Sequence, residues 1–232
     1  MKKVMITGIG MLCANGNGKQ AVWDSIKAGT PAITKITRFD ASRCSCQVAG
    51  EVKDFEAYAI EGGLLDKKAA RHMARFSQFA VAAAVEAWRD AGYTEENKPD
   101  MDRVGTLIGN GIGGLDVTGE SYKILFDRGP ERLSPLAIPE LISNEAAGNV
   151  SLATGAKGPA QVITTACASS TDALGYALDM IRSGRACTGK TGVVSAGRAE
   201  ASQIGRDILA QGGNAIDAAV AVAFAMGVCE PN

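Results

Sequence analysis

The sequence predicts an α/β fold with a largely parallel central sheet. Short β-rich apolar runs alternate along the chain with longer stretches of helical spacing, and glycines mark many of the changes between them. The composition is that of an ordinary globular protein, since 46% of the 232 residues are hydrophobic and 21% are charged. A chain of this length can bury a substantial core.

The first third of the chain is predicted to contain one buried strand, one short helix and one long helix. Lys3 to Thr7 is an apolar run closed by glycines, which indicates a strand followed by a turn. Residues 19 to 28 have the spacing of a short helix, and residues 30 to 64 are expected to form loops with short strands. Asp66 is a suitable N-cap for a long buried helix over residues 66 to 91.

The middle of the chain is predicted to contain two further strands. Val104 to Ile108 has the composition of a strand and leads into a glycine-rich loop over residues 109 to 114. A helix is expected around residues 139 to 153. Residues 161 to 165 are predicted to form a strand, and residues 169 to 183 a helix. Beyond them we expect a short strand at 193 to 196 and two helices, at 199 to 211 and 214 to 227.

Charge and cysteine content argue against several classes of function. The net charge of -1 gives no electrostatic reason to expect nucleic acid or an anionic membrane as a partner. The most apolar tract, residues 218 to 228, is shorter than the roughly 20 residues of a membrane span. No signal peptide is visible, so we expect a cytoplasmic location and reduced thiols. The six cysteines lack a zinc-ribbon spacing, so we expect no metal. The single histidine, His72, is expected at the surface or lightly packed.

Cys167 lies where the predicted strand at 161 to 165 turns into the following helix. At such a turn the side chain projects from a sharp bend, and the unpaired N–H groups of the helix start favour a thiolate. These are the demands of covalent acyl transfer, and the same N–H groups can stabilise the oxyanion of a thioester. The alternative is a small buried side chain that fills a tight corner.

The glycine-rich loop also satisfies the GxGxxG pattern of dinucleotide-binding proteins. We do not expect NAD to bind, because the residues from Leu115 onward look like a poor helix start. In addition, no second strand ends in an acidic residue about 20 positions on. Close approach of the backbone to an acyl substrate explains the same glycines.

Residues 184 to 191 match the phosphate-binding pattern GxxxxGK[ST] at every position. The chemistry of that pattern requires a strand before the loop and a helix after it. Here a predicted helix precedes the loop and a predicted strand follows it. We interpret the match as a coincidence.

Five segments in order resemble β-ketoacyl-acyl-carrier-protein synthases, most closely the type that elongates longer chains. Together they cover about residues 1 to 186. The segments are VMITGIGMLCANGNG, DKKAARHMARFSQFAVAAAVEAWRDAG, IGNGIGG, ISNEAAGNVSLATGAKGPAQ and TACASSTDALGYALDMIRSGRA.

The resemblance implies a thiolase-like layered α/β fold of which this chain contains the N-terminal half only. Cys167 would accept the acyl chain from acyl carrier protein, and Ile112 in the glycine-rich loop would line the acyl pocket. A homodimer is expected through the strand at 161 to 165, with no metal or organic cofactor. His72 matches no catalytic position of the family.

The last part of the chain, TGVVSAGRAEASQIGRDILAQGGNAIDAAVAVAFAMGVCEPN, resembles the start of the γ-glutamyltranspeptidase family. We therefore divide the chain into residues 1 to 186, half of a synthase domain, and residues 187 to 232, an Ala-rich helical segment that is not an independent domain. The threonine nucleophile of the transpeptidases is absent. An Ala-rich helical hairpin without chemistry explains the segment equally well.

The resemblance also implies that condensation needs two histidines and a lysine from the second half of the synthase fold. We expect this chain to be truncated and, at most, to be acylated at Cys167. Two alternatives remain open: a fragment related to γ-glutamyltransferases, and a chimeric product without catalytic function in which Cys167 is simply packed.

Overall fold

The computed structural model describes residues 3 to 183, which contain three two-stranded sheets and seven α-helices. Among these residues, no helix has both the length and the apolar character needed to cross a bilayer. The strands are β1 (Leu12–Cys13), β2 (Gly16–Asn17), β3 (Ile33–Lys35), β4 (Val48–Gly50), β5 (Thr106–Gly109) and β6 (Ala160–Ile163). The helices are α1 (Lys19–Lys27), α2 (Lys67–Ala70), α3 (Arg75–Asp90), α4 (Leu115–Arg128), α5 (Ala137–Leu141), α6 (Glu145–Thr154) and α7 (Ser169–Ser183).

Strands β5 and β6 pair in parallel, with Thr106 opposite Ala160 and Gly109 opposite Ile163. Helix α7 packs against both strands, and α6 packs against the same pair. A parallel pair needs a long crossover, and α4, α5 and α6 supply it. The predicted strands at 104 to 108 and 161 to 165 and the predicted helix at 169 to 183 are therefore confirmed, as is the short helix at 19 to 28.

The core lies where α3 packs on α6. Ala82 and Ala146 are fully buried in these two helices, and such small side chains let the helix axes approach closely. Larger apolar side chains from the segment before α3 complete the core. Its buried members are Phe55, Ala59, Leu64, Leu65, Ala70, Val81, Ala82 and Val150.

The long helix predicted over residues 66 to 91 is wrong in one respect, because the structure has two helices there, α2 and α3. The Asp66 carboxylate caps α2 as expected and accepts a hydrogen bond from the Ala69 N–H at 2.7 Å. The Gln78 side-chain amide then donates to the carbonyls of Ala70 and Met73, both at 2.9 Å. These bonds satisfy carbonyls that the interruption leaves without helical partners.

The strand predicted at Lys3 to Thr7 is also wrong, since this segment belongs to none of the sheets in residues 3 to 183. The segment that follows lies along α3 instead. The carboxylates of Asp90 and Glu86 accept hydrogen bonds from the N–H groups of Ile9 and Met11, each at 2.9 Å. Carboxylates of a helix thus accept the backbone N–H groups that would bond to a neighbouring strand if this segment lay in a sheet.

Two further expectations for the crossover need correction. Leu115 starts the 14-residue helix α4, although its sequence looked like a poor helix start; Gly114 is fixed there by its N–H donating to the Leu141 carbonyl at 2.9 Å. The helix predicted around 139 to 153 is two helices, α5 and α6, because Ile142 has extended backbone angles.

The elements predicted beyond residue 183, and the phosphate-loop match, lie outside the described residues.

Candidate active site

Cys167 lies in a single 3-10 turn, Ala166–Ala168, between the end of β6 and the start of α7. Its side chain is exposed. Ala166, immediately before it, has φ +51, a left-handed conformation that residues with a Cβ rarely adopt. Such strain persists only where neighbouring contacts hold the backbone in place, and it is common at functional turns.

Ser169 holds this turn closed. Its side chain is 3% exposed, and its hydroxyl donates to the Ala166 carbonyl at 2.7 Å while accepting from the Thr165 N–H at 2.9 Å. One step further, the Thr165 hydroxyl donates to the Asp172 carboxylate at 2.5 Å. The two residues immediately before Cys167 are therefore tied to the first turn of α7.

The sequence analysis did not single out Ser169 or Asp172. A signal was available, because Ser169 and Asp172 form the S-x-x-D pattern that is typical of a helix start. In the structure these two residues fix the turn that carries Cys167 rather than bonding to each other. They are positioning residues for the exposed thiol.

The glycine-rich loop at the end of β5 lies against the Cys167 turn. Parallel strands end at the same edge of a sheet, so the loops that follow β5 and β6 are neighbours. The Asn110 N–H donates to the Ile163 carbonyl at 3.1 Å, and the Thr164 hydroxyl donates to the Asn110 carbonyl at 2.9 Å. A Cβ added at Gly111 would lie 3.6 Å from the Ala166 carbonyl oxygen.

Ile112 lies in this loop, and its side chain is 70% exposed. The Asn110 side-chain oxygen accepts hydrogen bonds from the N–H groups of Ile112 and Gly113, at 3.3 and 3.1 Å, and so fixes the loop conformation. The structure thus brings the loop with Ile112 and the turn with Cys167 to one edge of the sheet. The contribution of Ile112 to an acyl pocket stays a prediction.

The glycines of this loop are explained by packing within the protein. A Cβ at Gly109 would lie 2.5 Å from backbone atoms of Ser169 and Ser170. Gly113 has φ +90, and a Cβ there would lie 2.6 Å from the Leu141 carbonyl oxygen. The argument against NAD that rested on a poor helix start is wrong, since α4 follows the loop directly. These close contacts give a reason for the glycines that needs no dinucleotide.

His72, the only histidine of the chain, has an exposed side chain, as expected. It lines a cavity of about 500 Å³ together with apolar residues of α3 and α6, among them Val81 and Leu152. No residue of the Cys167 turn or the glycine-rich loop lines this cavity. Within residues 3 to 183 there is also no cluster of three or more His, Cys, Asp or Glu side chains that could hold a metal ion.

Glu145 is a titratable group that the sequence analysis missed. One carboxylate oxygen accepts from the Ala74 N–H at 3.3 Å and the Asn149 side chain at 3.0 Å, so Glu145 caps the start of α3 from α6. The other oxygen is buried and has no hydrogen-bond partner among the described residues. Burial, assisted by the nearby charge of Glu140, raises the pKa of Glu145 to about 7, although its hydrogen bonds act in the opposite direction.

A Glu145→Gln substitution is expected to raise stability at pH 8 and to leave it nearly unchanged at pH 4.5. Because the pKa of Glu145 rises on folding, from its ordinary value of 4.5 to about 7, stability is lost as the pH rises through this window. Glutamine keeps the acceptor for Ala74 and cannot ionise. After discounting for partial exposure, we expect a gain of about 1 kcal/mol at pH 8 in urea unfolding.

The control for this variant is Glu131→Gln, which removes a carboxylate from an exposed position. It should match the unaltered protein at both pH values. A loss of stability at pH 8 in Glu145→Gln would show that the ionised carboxylate is the form that the fold requires.

Comparison with known proteins gives two family matches. Residues 1–210 match the model of the β-ketoacyl synthase N-terminal domain, and residues 201–232 match that of γ-glutamyltranspeptidase. The chain is 43% identical over 185 residues to the 3-oxoacyl-[acyl-carrier-protein] synthase 2 of Synechocystis sp., a match that covers 80% of this chain and 43% of the relative. The enzyme of the same name from Staphylococcus aureus strain COL is also 43% identical, over 80% of this chain and 44% of its own length.

Solved structures agree with the sequence relatives. The ishigamide ketosynthase/chain length factor superposes with a TM-score of 0.68 at 28% identity, over 78% of this chain and 44% of that chain. A β-ketoacyl synthase from Burkholderia phymatum superposes with a TM-score of 0.64 at 26% identity, over 79% and 44%. The chain therefore spans less than half the length of each of these relatives, and its fold is the thiolase-like α/β fold expected from the sequence.

Proposed function

Because the chain belongs to the β-ketoacyl synthase family, we propose that Cys167 is the acyl-accepting nucleophile of a 3-oxoacyl-[acyl-carrier-protein] synthase. The observation that carries the proposal is the exposed thiol on a strained turn between β6 and α7. The hydrogen bonds of Ser169 hold that turn in place before any substrate arrives. A nucleophile fixed in advance loses little entropy when it reacts.

The proposed reaction is a thioester exchange at Cys167. Its sulfur attacks the carbonyl carbon of an acyl thioester, a new C–S bond forms, and the C–S bond of the donor breaks. The donor thiolate leaves and takes up the proton that Cys167 has lost. The N-terminal end of α7 carries partial positive charge next to the turn, which stabilises the thiolate and the developing oxyanion.

The glycine-rich loop is proposed to meet the acyl chain. Ile112 exposes an apolar side chain on the loop that contacts the Cys167 turn, which supports the pocket role implied by the family. The donor is proposed to be the acyl form of acyl carrier protein, because the related enzymes carry that protein in their names. A cytoplasmic location remains a prediction of the sequence.

For the whole enzyme we propose decarboxylative condensation with malonyl-acyl carrier protein, as part of fatty-acid or polyketide synthesis. That step requires a histidine pair in this family, and these 232 residues contain one histidine. His72 lines a cavity with which the Cys167 turn shares no residue. We therefore propose that the 232 residues by themselves accept an acyl group and do not condense it.

The segment beyond residue 186 is proposed to be γ-glutamyltranspeptidase-like scaffold without an active site of its own. Its family match covers residues 201–232 and overlaps the end of the synthase match at 201–210. Transfer of a γ-glutamyl group from a chromogenic donor would contradict this assignment.

Intact-mass measurement after incubation with an acyl thioester tests the function. We expect a single acyl adduct on the unaltered chain and none on Cys167→Ser. The matched control is the double variant Cys44→Ser with Cys46→Ser, which removes two other exposed thiols and should keep the adduct. An adduct that survives in Cys167→Ser would overturn the proposal. Formation of a condensation product from malonyl-acyl carrier protein would overturn the proposal that these residues accept an acyl group but do not condense it.

A homodimer is proposed through β6. Within residues 3 to 183 this strand pairs with β5 on one edge only, and an unpaired edge is a template for another strand. A Gln161→Lys substitution places a lysine on the β6 edge of each copy, so the dimer would bring like charges close together. We expect the molar mass measured by light scattering to fall from that of a dimer to that of a monomer. Gln47→Lys, on an exposed loop, should leave the dimer intact. A monomer in the unaltered chain would rule out this interface.

A further inference from the structure

The loop between β3 and β4 carries two exposed cysteines, Cys44 and Cys46, separated by Ser45. Neither belongs to the Cys167 site, and the proposed function uses neither. The sequence predicts that the cysteines are reduced thiols. Two exposed thiols at this spacing have chemistry that a single thiol lacks, because the product of oxidising one of them can be attacked by the other.

The loop is held in place by contacts that do not involve the thiols. At its base the Ile36 N–H donates to the Gln47 carbonyl at 2.9 Å. The buried Glu51 carboxylate accepts from the Thr37 N–H at 3.1 Å and from the Thr37 hydroxyl at 2.7 Å. The hydrogen bonds that anchor the loop therefore involve neither thiol.

The spacing of the two cysteines and the bends between them favour a short separation. Residues two apart in a fully extended chain have Cα atoms at most about 7 Å apart, and a disulfide needs roughly 4.4–6.8 Å. The chain is not extended here. It bends at Cys44 and Ser45, and the Cys44 N–H donates to the Ala41 carbonyl at 2.9 Å in a tight turn. Because this stretch is not extended, the two Cα atoms are expected to lie closer than that upper limit, which favours a disulfide.

A metal is a poorer fit than a disulfide. Soft cations bound by thiolates in structural sites take four ligands, and within residues 3 to 183 no three His, Cys, Asp or Glu side chains are placed so that they could hold a metal ion. The Cys46 sulfur has the Val48 carbonyl oxygen 3.5 Å away, which is a weak hydrogen bond and not a soft ligand. Two thiols without further ligands favour redox chemistry.

We propose that Cys44 and Cys46 form a dithiol that hydroperoxides oxidise to an intramolecular disulfide. The thiolate of one cysteine attacks a peroxide oxygen, the O–O bond breaks, and a sulfenic acid and one water, or one alcohol, result. The second thiol attacks the sulfenic sulfur, forms the S–S bond and releases a second water. In total, two thiols lose two electrons and two protons to one peroxide. Since the bond is exposed, thiols such as glutathione reduce it readily.

Peptide mass spectrometry of the oxidised, folded chain tests this proposal. Trypsin cleaves after Arg43 and Lys53, so a single peptide carries both cysteines. The chain is treated with limiting hydrogen peroxide, and the remaining thiols are then blocked with a maleimide. We expect this peptide to carry no maleimide and to be lighter than the reduced peptide by two hydrogen atoms. Dithiothreitol should restore two labels.

The variants make the experiment decisive. Cys44→Ser and Cys46→Ser should each lose the disulfide and form a sulfenic acid that dimedone traps, while Cys167→Ser should form the disulfide as the unaltered chain does. A peptide labelled at both cysteines, a sulfinic acid at either, or a disulfide from one of them to Cys167 would overturn the proposal. These readouts do not depend on acylation, so they stand apart from the proposed function.

Discussion

A Gly109→Ala substitution is expected to destabilise the protein by about 3 kcal/mol or more and to slow acylation of Cys167 by about 100-fold. The added Cβ would lie 2.5 Å from the carbonyl group of Ser169 and from the Cα of Ser170. These are backbone atoms at the start of α7, so no side-chain rotation relieves the overlap. Either β5 or α7 must move, and movement of α7 displaces the turn that Ser169 ties to it.

Gly175→Ala is the matched control, because Gly175 lies in α7 itself and an added Cβ has no heavy atom within 4 Å. Alanine in an exposed helical position should stabilise the protein by about 0.5–1 kcal/mol and leave acylation unchanged. Urea unfolding and the mass of the acyl adduct measure the two effects. If Gly109→Ala acylates at the normal rate, the packing of β5 on α7 does not position Cys167.

The elements that carry the candidate site were predictable because their signals are local. The apolar run of β5 ends in Gly109 and that of β6 is followed by Thr164, and α7 has its helical spacing within its own 15 residues. The position of Cys167 between strand and helix followed from the same pattern. The resemblance to the synthases then supplied the proposed role of the thiol, which spacing alone left open.

The corrections come from side-chain contacts with the backbone that local spacing does not reveal. The break between α2 and α3 has no proline or glycine to announce it. It depends on Gln78, whose side chain reaches the Ala70 carbonyl eight residues away. The segment from Ile9 to Met11 likewise gives its N–H groups to side chains of α3 more than 70 residues further on. Local propensity contains no information about such partners.

The side chains that support the Cys167 turn were harder to predict than the position of Cys167 itself. Ser169 and Asp172 have a helix-start spacing, but that spacing does not reveal that they bond to Thr165 and Ala166. Glu145 has no sequence signal for its raised pKa, because burial against α3 causes it. Its partner Ala74 is 71 residues away. A burial that depends on the packing of two helices becomes visible only in the structure.

A Phe55→Ala substitution is expected to destabilise the protein by about 3–5 kcal/mol, more than any other truncation that we propose. Phe55 is 2% exposed and belongs to the core on which α3 packs. Its ring meets the Phe79 ring edge to face at 4.9 Å between centroids. The Arg75 guanidinium lies 4.9 Å from the Phe55 ring and 5.0 Å from the Phe79 ring. Truncation therefore leaves a cavity and removes both aromatic contacts.

The control, Phe126→Ala, removes the same side chain from a position in α4 that is 80% exposed, and it should change stability by no more than about 0.5 kcal/mol. Urea unfolding of Phe55→Ala, Phe79→Ala and the double variant gives the coupling between the rings, which we expect at about 0.5–1.5 kcal/mol. Equal losses for Phe55→Ala and Phe126→Ala would mean that the core does not depend on Phe55. Helix α3 also forms hydrogen bonds with Glu145 and with the segment before β1. Such a result would therefore mean that these bonds, and not the aromatic contacts, stabilise the position of α3.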